Sequence, residues 1–320
     1  MPDTEQIPVI YIAGCGRSGS TLLDILLGIH PDIESTGELT HLFLRGWIKN
    51  EYCACGRRVN ACAYWSGVKA RWQRHGGWDP EEASALQCAL ERTRHIPILL
   101  CKRARKRRNA DLFFEMTHAA LAGIQEVSGK TVIVDSSKGP GRLLALAKNP
   151  HVKLQAIHLV RDGRGVVWSR MKSFRKNEEA GIERDLRAWP AWQSSLDWLR
   201  GNLLTELTLH LGRIKHIRIR YEDLIEHPDR TLTRIGQFLG MDLEPVAAAI
   251  RSGAAIPVGH NVAGSRIRMQ RRIRLNPDYA WRARLPLGAR SVFWSIAWLG
   301  AIRYGYLRKR ACLAGEAERP

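Results

Sequence analysis

The segment Gly14-Cys15-Gly16-Arg17-Ser18-Gly19-Ser20-Thr21 sets two glycines five positions apart and follows them with two hydroxyl side chains. Residue types in that order suit the capture of an anion. Glycines let successive backbone N–H groups converge, a helix starting at the hydroxyl pair points its positive dipole end into the loop, and the hydroxyls add donors. A nucleoside-triphosphatase loop carries lysine where this chain has Ser20, and that lysine neutralises the β and γ phosphates. Arg17 supplies a cation from inside the loop instead, in a planar fork that matches two oxygens of one anionic group. A second candidate begins at Arg161, with Ser169 eight residues on, about two helical turns later. One guanidinium at a strand tip and one hydroxyl on the next helix suit a second, separate phosphate. The bland alternatives are a glycine turn that binds nothing, and a helix start capped by Asp162 beside a surface arginine.

These residues need strands to deliver them. PVIYIA (8–13) is a short apolar β-branched run ending at Gly14, and TLLDILLG carries apolar residues at helical spacing, which reads strand, glycine loop, helix. Further short apolar runs at TVIVD (131–135), LQAIHLV (154–160) and KHIRIRY (215–221) each precede a helix-like segment. The alternation predicts an α/β, P-loop-like three-layer fold with a central parallel sheet flanked by helices. Between about 45 and 115 the pattern lapses into Cys, Trp, Gly and basic residues with one helix from Pro80, an insertion between the first two core strands of a single domain spanning 1–320. Residues 183–210 read as mainly helical with a break near Pro190. An Arg-rich loop is expected over 255–285 and a helix after it, within a C-terminal segment of about 255–320. SVFWSIAWLGAI (291–302) is too short to span a bilayer but suits a buried or interfacial helix, which allows peripheral membrane contact.

The 320 residues hold 50 Lys plus Arg against 31 Asp plus Glu, a net charge of +19 that favours polyanionic or phosphorylated partners. No apolar run reaches eighteen residues, no signal core opens the chain, and the first strand begins by residue 8, which leaves no room for an anchor; a soluble cytoplasmic protein is expected. Seven cysteines, an odd number at modest density, suit reduced thiols. Cys53, Cys55 and Cys62 are one ligand short of a closed zinc site, which His41 or His75 would complete; a reversible disulfide is equally open. The basic run Lys102–Arg108 lacks the aromatic interleaving and fold of a nucleic-acid reader, so a solvated helix face or an acidic acceptor site is the better reading.

GCGRSGSTLL, HPDIESTGEL, VDSSK, HLVRDGRGVVWS and RYEDLIEHPDRTLTRIGQFLGM, in that order from about residue 8 to 285, resemble the sulfotransferases that use 3′-phosphoadenylyl sulfate, with bacterial and protein-tyrosine or carbohydrate sulfotransferases the nearest. The resemblance implies that Arg17, Ser18, Gly19, Ser20, Thr21 and Leu22 hold the donor's 5′-phosphosulfate, Arg161 and Ser169 its 3′-phosphate, and Tyr221 its adenine. It also implies a late loop closing over the 3′-phosphate, for which Arg266 and Arg268 are the candidates; the Arg-Lys-Gly form of the phenol and steroid branch is lacking. Two clamps on neighbouring strand ends fit a nucleotide phosphorylated at both ends of its ribose, where a plain nucleotide needs one.

Sulfuryl transfer to an acceptor hydroxyl, by in-line displacement, requires positioning and charge stabilisation and in principle no metal. Arg17 would stabilise the leaving phosphate, and Lys138, at the end of VDSSK, would reach the moving sulfuryl oxygens. Glu38 matches the Gly-Glu segment that provides the base in the tyrosine branch, with His41 in reserve; Glu38 could otherwise cap the next helix or pair with Arg45. The acceptor would be a carbohydrate, a glycolipid or a tyrosine. Two other classes compete: a P-loop kinase or nucleotide hydrolase, and a non-catalytic polyanion-binding protein.

Overall fold

The computed structural model describes residues 6–276 and 278–307; Cys312 lies outside them. Strand β1 (Ile7–Ala13) sends Val9, Tyr11 and Ala13 to one face and Ile10 and Ile12 to the other. Burial on both faces is what a central parallel strand requires, and it explains the unbroken apolar run. The glycine loop follows, then α1 (Ser20–Leu27), all of whose residues are buried. Next comes β2 (Ile33–Ser35) and a π-helical segment, Leu42–Ile48. A run of helices occupies the insertion: α2 (Ala63–Gly76), α3 (Pro80–Leu90), α4 (Ile96–Leu100), α5 (Lys102–Arg107) and α6 (Ala110–Ser128). The alternation resumes with β3 (Val132–Lys138), α7 (Pro140–Lys148), β4 (Val152–Val160), α8 (Gly163–Arg170), α9 (Ala191–Leu211) and β5 (His216–Arg220). Helices α10 (Tyr221–Glu226), α11 (Pro228–Leu239) and α12 (Glu244–Arg251) follow. The late segment then forms β6 (Ile256–Pro257), β7 (Arg272–Ile273), α13 (Ala280–Arg284) and α14 (Leu287–Arg303).

The main sheet is parallel, in the order β2-β3-β1-β4-β5. The chain winds from β1 toward β3 on one side and returns to β4 on the other, so β1 is where the direction of winding reverses. Ligands of open α/β sheets bind outside the carboxyl ends of the strands at such a point. One face packs under α6, α7 and the insertion, the opposite face under α1, α10, α11 and α12, and α8, α9 and α14 form a further cluster around Trp198 and Phe293.

Four expectations need correcting. The insertion is largely helical: in α2 the buried Tyr64, Trp65, Val68 and Trp72 fall on one helical face, built of aromatics where aliphatics are the usual signal. It lies between β2 and β3, because β2 is a three-residue strand carrying Glu34 and Ser35 and leaves almost no apolar trace. Residues 183–190 are not helical; Phe174 and Asn177 bridge to Leu186 and Ile182, and α9 begins only after Pro190, whose ring suits a helix entrance. The late loop carries a short antiparallel ladder, β6 with β7, and a 3₁₀ turn at Arg266–Met269. No helix among the described residues is long and apolar enough to cross a membrane. Trp298, Leu299 and Ile302 are exposed on α14.

One buried carboxylate ties these elements together below the glycine loop. Asp24 of α1 accepts hydrogen bonds from Ser35 Oγ (2.7 Å), Ser136 Oγ (2.6 Å), the Gly37 N–H (2.9 Å) and Asn261 Nδ2 (3.2 Å). Burial pushes its carboxyl up to about 7, against the opposing pull of the Ser136 and Ser35 hydroxyls. It therefore joins the ends of β2 and β3 and the late loop to α1. Asp24→Ala strands the Ser35, Ser136 and Gly37 donors, while Asn261 Nδ2 keeps Ser35 Oγ at 2.9 Å; since each buried donor without an acceptor costs about 1–3 kcal/mol, a loss of roughly 3 kcal/mol or more in urea unfolding is expected, and a loss under about 1 kcal/mol would show that these bonds carry little.

Candidate active site

A cavity of about 1370 Å³ opens at the carboxyl edge of the sheet, and both arginines of the two sequence motifs line it. On the β1 side the lining includes Arg17, Gly19, Ser20, Thr21 and Leu22. The loop's two spaced glycines have separate reasons. A Cβ on Gly14 (φ 135°) would stand 2.5 Å from the Leu159 carbonyl oxygen of β4, and one on Gly19 (φ 92°) 2.5 Å from the Tyr221 ring. Gly19 precedes α1 without any side-chain cap, so the helix start is left to other acceptors. The Ser18 side chain is turned inward, its hydroxyl buried and without a partner among the described residues, and it does not line the cavity.

Arg17 sits at φ 71°, a left-handed conformation that costs a non-glycine residue of order 1 kcal/mol. Its basicity is lowered first by burial, then by the nearby guanidinium groups of Arg170 and Arg266, with Glu38 acting in the opposite sense. Arg170 is bonded to Asp197 at 2.6 Å, and Arg266 lies 3.8 Å over the Phe174 ring. Positive charge is thus concentrated where the loop opens.

Arg161 is 7% exposed, not a surface side chain. Its guanidinium lies 4.6 Å over the Tyr221 ring, and its Nη1 donates to the Arg17 carbonyl (3.3 Å). Its Nη2 donates to the Asp278 carboxylate (3.0 Å) and carbonyl (3.2 Å). Ser169 and Tyr221 line the same cavity, so the second motif and the aromatic expected at the adenine meet the first motif across Gly19. Asp162 does cap α8, accepting from the Arg164 N–H at 2.9 Å.

Glu38 and Lys138 enter from the β2 and β3 side. Lys138 ends β3 at φ 67°, beside a register irregularity against β1, and its Nζ donates to Glu38 Oε1 at 2.5 Å. His41 Nε2 is 3.5 Å from the other Glu38 oxygen, while Arg45 pairs with Glu51 at 2.6 Å and not with Glu38. Burial alone would raise the Glu38 carboxyl; the Lys138 ammonium, aided by His41 and Arg45, outweighs it and holds the carboxyl below its ordinary value. Burial pushes His41 down to about 4 against the pull of Glu38, so it is neutral near pH 7. Beneath the pair, Arg142 binds Asp135 and Glu91, and Thr40 is held by Ser137 and Glu91.

Arg268 does not reach the cavity. It is buried, donating to the Tyr52 carbonyl at 2.7 Å, whereas Arg266, on the same 3₁₀ turn, faces the cavity. Nor does His41 or His75 approach the three clustered cysteines: His41 is at Glu38 and His75 lies against Trp78; the imidazole that meets them is His260, far along the chain. Sequence reasoning missed Arg170, Phe174 and Asp278. Arg170 had a local signal, lying next to Ser169; Asp278 had none, since only the tertiary fold carries it to Arg161. Lys102, Arg103, Arg105, Lys106 and Arg108 of the basic run do not line the cavity.

The model of the sulfotransferase family matches residues 8–245. The chain belongs to the sulfotransferase family. Carbohydrate sulfotransferase 1 of Danio rerio is 30% identical over 118 residues, covering 32% of this chain and 26% of that protein, and its Rattus norvegicus counterpart is 30% identical over 118 residues, covering 32% and 27%. The match therefore spans about a quarter of these relatives' length. Among solved structures, the sulfotransferase domain from the curacin biosynthetic pathway covers 94% of this chain and 99% of its own at 17% identity and a TM-score of 0.49. The sulfotransferase domain of the Synechococcus PCC 7002 olefin synthase covers 92% and 97% at 21% identity and a TM-score of 0.45.

The Glu38–Lys138 contact in this chain makes a measurable claim. In Lys138→Met the buried Glu38 carboxyl loses the cation that outweighs its burial, so its pKa rises relative to wild type in a carbon-detected NMR titration. An unchanged value would mean that another group sets the Glu38 charge.

Proposed function

We propose that the protein transfers the sulfuryl group of 3′-phosphoadenylyl sulfate to an acceptor hydroxyl, with a carbohydrate as the favoured acceptor class. The observation that carries this reading is that two anion-binding constellations, the Arg17 loop and the Arg161–Ser169 pair, open into one cavity on adjacent strand ends, with Tyr221 between them. That arrangement suits one adenosine ligand phosphorylated at two positions. Ser20 in place of the triphosphatase lysine disfavours the kinase and hydrolase reading. The carbohydrate class rests on the curated relatives named above; glycolipid and tyrosine hydroxyls share the same nucleophilic chemistry.

In this account Arg17 and the uncapped start of α1 hold the leaving phosphate and stabilise the charge that grows on it. Arg161 and Ser169 grip the 3′-phosphate, and Arg266 covers the site from the late loop. Glu38 removes the acceptor proton as the hydroxyl attacks in line. The bond between Glu38 and Lys138 gives this step a switch. When Lys138 turns its ammonium to the sulfuryl oxygens, Glu38 is released from the cation that holds its pKa down and becomes the stronger base while the donor is in place.

Three outcomes test the reading. Wild type should discriminate strongly against adenylyl sulfate lacking the 3′-phosphate and Arg161→Ala should lose most of that discrimination in binding assays; equal discrimination would misplace the second clamp. Glu38→Gln should keep donor affinity and lower turnover about 10²–10⁴-fold, as measured with radiolabelled donor and a carbohydrate acceptor mixture. In wild type the acidic limb of kcat, which reports the loaded enzyme, should lie at higher pH than that of kcat/KM, which reports the free enzyme. Coincident limbs would remove the Lys138 switch.

A further inference from the structure

Away from the cavity, three thiols and one imidazole converge on a point that the sulfuryl-transfer reading does not use. Cys53, Cys55 and Cys62 come from the loop that opens the insertion and His260 from the late loop, and their ligand atoms all lie within 4.8 Å of one another. Cys55 Sγ is 3.7 Å from Cys62 Sγ, and His260 Nδ1 is 3.7 Å from Cys53 Sγ and 3.3 Å from Cys62 Sγ. Bond lengths of about 2.3 Å to sulfur and 2.0–2.1 Å to nitrogen place tetrahedral ligands about 3.8 Å apart for two sulfurs and about 3.6 Å for sulfur and nitrogen. These three spacings are close to those of a cage sized for one such ion. A disulfide needs sulfurs about 2.05 Å apart and has no use for the imidazole.

The surroundings fix each ligand. Cys53, Ala54, Cys55 and Gly56 form a tight turn, with the Gly56 N–H donating to the Cys53 carbonyl (3.0 Å), the Cys53 N–H to the Arg57 carbonyl (2.8 Å), and Gly56 at φ 84°. Cys62 stands at the N-terminus of α2, where the helix favours a thiolate. The His260 ring lies parallel to the Tyr64 ring at 4.7 Å, and its carbonyl accepts from Trp65 Nε1 at 2.6 Å, so both the ring plane and the backbone are set by α2. Cys53 and Cys62 are buried and Cys55 is partly exposed.

We propose that Cys53, Cys55, Cys62 and His260 bind one zinc ion in a closed, structural Cys₃His site. Thiolate-rich, tetrahedral coordination selects zinc over magnesium or calcium, and four protein ligands leave no open position for catalysis. Binding releases the thiol protons to solvent and leaves three thiolates and a neutral imidazole on the ion. The site staples two distant stretches of chain, and the second runs straight on into the active site. The Asn261 carbonyl accepts from the Ala54 N–H (3.1 Å), the Val262 carbonyl accepts from the Glu38 N–H (2.8 Å), and the Ser265 N–H donates to Thr21 Oγ1 (3.2 Å). The ion would thus position Glu38 and the late loop from a distance, without touching the reactants.

Metal analysis of the full-length protein, purified under reducing conditions without a metal-affinity tag, tests this directly. Elemental mass spectrometry should find one zinc per chain, a mercurial should release it to a chromogenic chelator, and the melting temperature should fall after release. Cys62→Ser and His260→Ala should lose the zinc, while Cys101→Ser, outside the cluster, should keep it. If the cluster variants do not fold, wild type grown in cobalt should show the strong visible bands of tetrahedral cobalt thiolate. Folded, reduced wild type that takes up no zinc or cobalt when supplied with either would overturn the proposal, as would a Cys55–Cys62 or Cys53–Cys62 disulfide in rapidly alkylated protein.

Discussion

Crowded positive charge at the carboxyl edge of β1 is the constraint around which the site is arranged. Arg17, Arg170 and Arg266 stand close enough that each neighbour lowers the basicity of Arg17, and burial lowers it further. Nearby Arg161, Arg170 and Lys138 each hold a carboxylate, from Asp278, Asp197 and Glu38, whereas Arg17 forms no ion pair among the described residues. A site of this kind is relieved by an incoming anion, because like charges repel more strongly as water is excluded. The left-handed backbone at both Arg17 and Lys138 has the same sense: the chain accepts local strain at the two cations that would face the transferred group.

Much of this arrangement could be read along the chain because its parts are local. The strand, glycine loop and helix from Pro8 to Leu27 follow one another directly, and short apolar runs marked three of the remaining strands of the sheet. Arg161 and Ser169 share one strand–helix unit, so their spacing alone aligned them. Failures fell where the signal was short or spread over distance. β2 has one apolar residue, Ile33, and is held through pairing with β3 and through Asp24. Helix α2 buries a tyrosine and tryptophan face in a segment diluted by lysine and arginine, which period-based reading passes over. Ser18 lies in the loop motif and Arg268 was a candidate from the late loop, yet the side chain of the first points inward and the second holds the Tyr52 carbonyl; residue type does not say which way a side chain turns.

The late loop shows why distant contacts matter for chemistry. Asn261, Val262 and Ser265 each bond to a different part of the site, to Asp24, Glu38 and Thr21. His260, immediately before them, meets cysteines almost two hundred residues or more earlier. A histidine among arginines and glycines carries no periodic signal, and the nearest histidines in sequence, His41 and His75, were the natural but wrong partners. The loop therefore couples the architecture of the insertion to the geometry of the base, a link that only the folded chain makes visible.

The proposed sulfuryl transfer requires one adenosine ligand to bridge the two anion clamps. Calorimetric titration of wild-type protein with adenosine 3′,5′-bisphosphate, run beside adenosine 5′-monophosphate and a thermal melt, tests that most directly. The bisphosphate should bind with saturable heat and raise the melting temperature in proportion to its occupancy, and the monophosphate should do so far more weakly. Folded protein giving no heat and no thermal shift with the bisphosphate, or the same response to both nucleotides, would contradict it.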